Sequence, residues 1–105
     1  MTTAVCLSVL TTLSLAVVGE SELGAGVYKK KCVMCHGADG VGDTKAGKMM
    51  ETPDITQVEW KNGNTVADLV KTLREGLGKM PKYEGKLSED ELNAVSEYTV
   101  AKFVK

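Results

Sequence analysis

Residues 32–37, Cys32-Val33-Met34-Cys35-His36-Gly37, preceded by Lys29-Lys30-Lys31, decide how this chain is read. Two cysteines stand two residues apart and a histidine follows the second directly. Counting the remaining ligands separates the chemistries that use such a cluster. A structural zinc centre takes four Cys or His ligands. The chain offers only one more cysteine, Cys6, and no second histidine. A redox-active dithiol of the thioredoxin kind sits beside a βαβ pattern, and no β alternation of useful length occurs anywhere in the sequence.

Covalent haem attachment remains, for which C-x-x-C-H is the recognised signature. The Cys32 and Cys35 thiols add across the two haem vinyl groups, and on a helix the imidazole of His36 is aimed at the iron as proximal ligand. Composition agrees. Aromatic residues make up 5% of the 105, with one Trp and one Phe, which leaves few large side chains for a core. A domain of this length buries only about 60–70% of the surface its unfolded chain exposes, so a bound ring can supply what is missing.

The 13 basic and 14 acidic residues leave a net charge of -1. No overall field favours nucleic acid or an anionic membrane, and neither is expected as a partner. From Met1 to Gly19 there is no charged side chain. Its VCLSVLTTLSLAVV run reads as the apolar region of a secretory signal, with Val17-Val18-Gly19 as cleavage site, although no Lys or Arg opens it. A buried N-terminal helix and an uncleaved anchor are the other readings. A spanning helix needs about 20 apolar residues, and threonines and serines interrupt this run. Residues 1–19 are therefore expected to be a signal peptide or N-terminal anchor, with Cys6 lost alongside it, and 20–105 to be one domain.

Along that domain, Leu23 to Lys31 suits a short helix whose trailing lysines oppose the macrodipole. Gly37 to Thr56 is rich in glycine and polar residues without a sustained period, and is expected to be a long ordered loop. Thr65 as N-cap, with Asp68 three residues on, opens a helix carrying Val66, Leu69, Val70 and Leu73 at helical spacing, and Gly76 stops it. After a second loop, Ser88 and Glu91 form a capping box for a last helix, with Leu92, Val95, Tyr98 or Thr99, and Phe103 on its apolar face. The fold class is all-α, with short helices and long loops wrapped around one covalent haem c.

Iron held by one histidine needs a sixth ligand or keeps an open face. With no second histidine, the methionines compete. Met34 lies inside the attachment motif, on the His side of the ring. Met49 and Met50 lie in the loop soon after His36. Met80 lies far down the chain in Gly78-Lys79-Met80-Pro81, where Pro81 confines it to extended backbone. Met80 is the expected ligand, and the others are expected to pack as gap-fillers.

With Cys32-Val33-Met34-Cys35-His36 near the start of the domain, Lys79-Met80-Pro81 after a helix, and a capped last helix, the chain from about Leu23 to Val104 resembles a class I monohaem cytochrome c. The cytochrome c6-like branch of bacteria and algae is the nearest within it. The resemblance implies that the first and last helices cross with a small residue against an aromatic one, here Gly24 or Gly26 with Tyr28 against Tyr98. It implies a one-electron carrier, not an enzyme, with His36 and Met80 as axial ligands that keep the iron low-spin and leave no open site. Trp60 is a candidate for packing near the haem or its propionates, or plain core, and Tyr83 for the haem-edge side.

Redox proteins are the expected partners, donor and acceptor cytochromes or reductases and oxidases, with the carrier itself a monomer. Lys79, Lys82 and Lys86 around Met80, and Lys29 to Lys31 before Cys32, offer an acidic partner a positive patch, or are simply solvated. The expected location is exported: the periplasm or thylakoid lumen, with membrane contact only if residues 1–19 are retained. Two other readings stay open. One is a five-coordinate haem enzyme or gas sensor. The other is a membrane-tethered cytochrome domain serving one enzyme.

Overall fold

The computed structural model describes residues 19–105, and Glu20 is described in its backbone only. The expected leader, with Cys6, lies outside these residues except for Gly19. Five helices follow in order: α1 (Glu20–Lys31), α2 (Val33–His36), α3 (Lys45–Met49), α4 (Val66–Glu75) and α5 (Glu89–Phe103). Among the described residues the only β pairing is two isolated bridges, Leu77 with Met80 and Glu84 with Leu87.

The two capping boxes form as the sequence predicts. Thr65 accepts from the Asp68 N–H while the Asp68 carboxylate accepts from the Thr65 N–H, and Ser88 and Glu91 do the same for α5. Each pair satisfies two of the backbone donors that the first turn leaves open. Gly76 ends α4 with φ 75. α1 begins at Glu20, one turn before the expected Leu23, with Gly19 rather than a capping side chain at its start.

One expectation needs correction. Gly37 to Thr56 is not loop throughout, because α3 lies inside it. Thr44 caps α3, accepting from the Gly47 N–H at 2.8 Å. A five-residue helix is too short to show a period, and Gly47, a poor helix former, hides it further. Tertiary packing explains that glycine. A Cβ there would collide with the carbonyl oxygens of Cys35 and Gly42, so only Gly lets α3 lie this close to α2.

The core is the crossing of α1 and α5, extended by α4 against α5. Val27 and Tyr28 meet Leu73, Leu87, Leu92, Val95 and Phe103. Burying each of these large apolar side chains contributes about 1.5–3 kcal/mol. The crossing settles which glycine is required. A Cβ on Gly24 would strike the Ala94 carbonyl and come within 2.7 Å of the Tyr98 Cβ, while one on Gly26 would meet nothing. The Tyr28 ring stacks obliquely on Tyr98 and Phe103 at 5.6 and 5.5 Å between centroids. Both residues proposed for the last helix's face are used: Tyr98 turns to α1, and Thr99 is buried with its hydroxyl donating to the Val95 carbonyl at 2.6 Å.

Candidate functional site

The attachment motif is built where α1 hands over to α2. Cys32 is the joint, with its N–H still bonded to the Tyr28 carbonyl while its own carbonyl accepts from His36, both at 2.8–2.9 Å. Gly37 then stops α2 with φ 78. Three ties hold this turn in place. The buried Tyr28 hydroxyl donates to the Gly37 carbonyl at 2.6 Å. The Gly42 N–H donates to the His36 carbonyl at 2.8 Å. The Thr44 hydroxyl lies 2.6 Å from the Met34 carbonyl and 3.2 Å from that of Cys35. The sequence reading assigned Tyr28 to the helix crossing and gave Thr44 no role; the Thr44-x-x-Gly47 cap of α3 was its one available signal.

The side chains suit haem rather than exchange chemistry. Cys32 and Cys35 are both free and half-buried. Burial, and then Cys35, push the Cys32 thiol up to about 11, so it is a poor thiolate source at neutral pH. Burial lowers the pKa of His36, which keeps its imidazole neutral and its lone pair available to a metal. His36 Nδ1 is enclosed with no hydrogen-bond partner. A metal-bound imidazole ordinarily donates that second ring N–H to a carbonyl or carboxylate, and among the described residues no such partner is in place.

The other candidates divide. Cys32, Val33, Ile55, Trp60, Leu69, Met80 and Tyr83 all pack against the core cluster while staying partly exposed. Each of them keeps part of its apolar surface uncovered by the chain, as residues that face a flat apolar ring would. Met80 thus packs on the same cluster as Cys32 of the C-x-x-C-H motif. Met34 and Met49 are 72% and 71% exposed and Met50 40%, and none of them belongs to that cluster. The structure therefore does not use them as core filler.

Met80 is presented by a tight hairpin. The N–H groups of Leu77 and Met80 each donate to the other's carbonyl, at 3.1 and 2.9 Å. Gly78 takes φ 58 as the first of the two turn residues, the position where a type II′ hairpin wants glycine. The Tyr83 N–H donates to the Leu73 carbonyl at 2.7 Å and fastens the loop to α4. The Tyr83 hydroxyl reaches the Lys31 carbonyl at 3.3 Å. Burial, followed by Cys32 and Cys35, raises its pKa. The Trp60 indole N–H is engaged by the Ile55 carbonyl at 3.1 Å. Two hollows elsewhere on the surface, of about 200 Å³ beside Gly26 and about 690 Å³ between α4 and Asn93 of α5, are lined by none of Trp60, Met80 and Tyr83.

Comparison with known proteins agrees. Residues 19–98 match the family described as cytochrome C oxidase, cbb3-type, subunit III. The chain is 31% identical over 80 residues to the cbb3-type cytochrome c oxidase subunit FixP of Bradyrhizobium sp. (strain ORS 278), covering 75% of this chain and 26% of FixP. It therefore spans about a quarter of the length of that relative. It is 37% identical over 76 residues to cytochrome c6 of Euglena gracilis, covering 71% of this chain and 84% of that one. The structure of cytochrome c6 from the diatom Phaeodactylum tricornutum superposes with a TM-score of 0.60 at 26% identity, over 79% of this chain and 93% of that one. The chain belongs to the cytochrome c family, in the form of the cbb3-type subunit III domain, and its cofactor is one covalently bound haem c.

Proposed function

We propose that this protein is a one-electron carrier in which Cys32 and Cys35 hold the haem through thioethers and His36 and Met80 are the axial ligands. One observation carries the ligand assignment: Met80 packs on the same apolar cluster as Cys32, while Met49 and Met50 lie outside that cluster. The bound haem supplies a single-electron Fe(III)/Fe(II) couple. The chain's own residues do the rest. His36 stays neutral and ligates through Nε2, with α2 held in place by Tyr28, Gly42 and Thr44. Val33, Ile55, Leu69 and Tyr83 keep water from the ring, which favours the reduced state. Trp60 backs this wall, its N–H occupied by Ile55.

Residues 1–19 serve as an export leader, and the carrier works outside the cytoplasm. Its partners are other redox proteins. The Tyr83 to Lys31 hydrogen bond brings the loop bearing Lys82 and Lys86 to the end of α1, beside exposed Lys29, Lys30 and Lys31. That grouping favours an acidic docking partner. No helix among the described residues is long and apolar enough to cross a membrane. The mass of the mature chain separates a free carrier from a domain tethered by residues 1–19.

The test of the ligation is the visible spectrum, oxidised and reduced, together with exposure to CO. A weak far-red thioether-to-iron band and refusal of CO are expected. Absence of the band with CO bound would mean an open iron face, and the enzyme or sensor reading would replace this one.

A further inference from the structure

Glu51 is the one non-glycine among the described residues with positive φ, at 55°. It stands at the end of α3. The Thr52 N–H donates to the Gly47 carbonyl at 2.8 Å and the Glu51 N–H lies 3.4 Å from the Lys48 carbonyl. Those two bonds make a Schellman motif with Glu51 at the left-handed position where glycine is the usual residue. A side chain there carries a conformational cost that glycine avoids. Its carboxylate, however, reaches the Lys79 Nζ at 3.4 Å. Lys79 is the second turn residue of the Leu77–Met80 hairpin, directly before Met80.

We infer that Glu51 is a positioning residue: held left-handed at the end of α3, it latches Lys79 and so restrains the hairpin that presents Met80. The inference rests on the Met80 ligation proposed above. α3 is itself bound to the attachment turn through Thr44 and Gly47. The latch therefore joins the segment that backs His36 to the segment that carries Met80, across the seam between them. Both partners are largely exposed. The restraint is accordingly modest and screened by salt, so the seam opens more readily as ionic strength rises.

The test uses the ferric holoprotein, with imidazole as the probe that competes with Met80. Glu51→Gln should bind imidazole about 1.5- to 5-fold more tightly than the parent at low salt, the range of an exposed ion pair. The difference should vanish at high salt, and a charge swap, Glu51→Lys with Lys79→Glu, should restore the parent's affinity. Hydrogen exchange at the Leu77 and Met80 amides should quicken in Glu51→Gln. Glu51→Gly separates the latch from simple stability. It relieves the left-handed strain and should raise Tm, yet it should bind imidazole as tightly as Glu51→Gln. Unchanged imidazole affinity and amide exchange in both single variants, with the far-red band intact, would overturn the latch alone. A parent protein without the far-red band would overturn the ligation and the latch with it.

Discussion

Ser96 lies on the core face of α5 with no exposed surface, and its hydroxyl is enclosed without a partner. A buried polar group left unpaired carries its full desolvation cost, about 1–3 kcal/mol. Ser96→Ala is therefore expected to stabilise the protein by about 1 kcal/mol, read as a higher denaturation midpoint at unchanged slope. A lower midpoint would mean that the hydroxyl holds an internal water. Met80 makes the functional prediction at this scale. Met80→Ala should keep the haem attached, lower the reduction potential and admit CO, whereas an unchanged spectrum would return the ligand role to Met49 or Met50. The cysteine pair and histidine proposed to hold the haem stood out directly, because C-x-x-C-H is a contiguous motif whose chemistry depends on spacing alone. Tyr28, Thr44 and Glu51 could not be assigned their contacts, since each acts on a partner set by the fold.

Between elements, the decisive contact is α1 on α5, and two glycines only two residues apart, on opposite faces of α1, predict opposite outcomes there. Gly24→Ala should push the helices apart against the Ala94 carbonyl and Tyr98, costing about 1–3 kcal/mol as overpacking does. Gly26→Ala should gain about 0.5–1 kcal/mol, because its Cβ enters open space and alanine is the better helix former. Thermal unfolding of the two variants checks both signs, and equal shifts would sink the assignment of Gly24 to the crossing.

The helix caps add a pH dependence. Hydrogen bonds from Thr65 lower the Asp68 carboxyl, and those from Ser88, backbone first, lower Glu91. A depressed carboxyl contributes stability above its unfolded pKa and loses it as pH falls through the folded value. Tm should thus drop on acidification through and below the ordinary carboxylate range. A double variant, Asp68→Asn with Glu91→Gln, should show a shallower drop. Both boxes were legible because a cap is a local pattern of four residues. α3 was not, being shorter than the window in which a period can be recognised.

At the scale of the whole molecule the core is small, and much of its apolar wall stays half-exposed. Cys32→Ala with Cys35→Ala, which prevents attachment, is therefore expected to unfold at lower temperature and with less cooperativity than the holoprotein. A sharp, unshifted transition by circular dichroism would contradict a core completed by haem. The lysines around Tyr83 predict how the carrier meets its partner. Although the net charge is only -1, the basic groups gather where α1 ends and the Met80 loop returns. Transfer to an acidic partner should slow as salt rises, and a salt-insensitive rate would leave those lysines as solvated surface.

The amino-acid sequence by itself determined the cofactor chemistry, the two capped helices and the all-α class, because each rests on residues within a turn or two of one another. Tertiary structure alone chose Gly24 over Gly26, separated Met80 from the exposed methionines and placed α3 against the attachment turn. It also brought Glu51 to Lys79. Those choices depend on how close two distant segments approach, and close approach is decided by what a Cβ would strike or a carbonyl could accept, which no local pattern records.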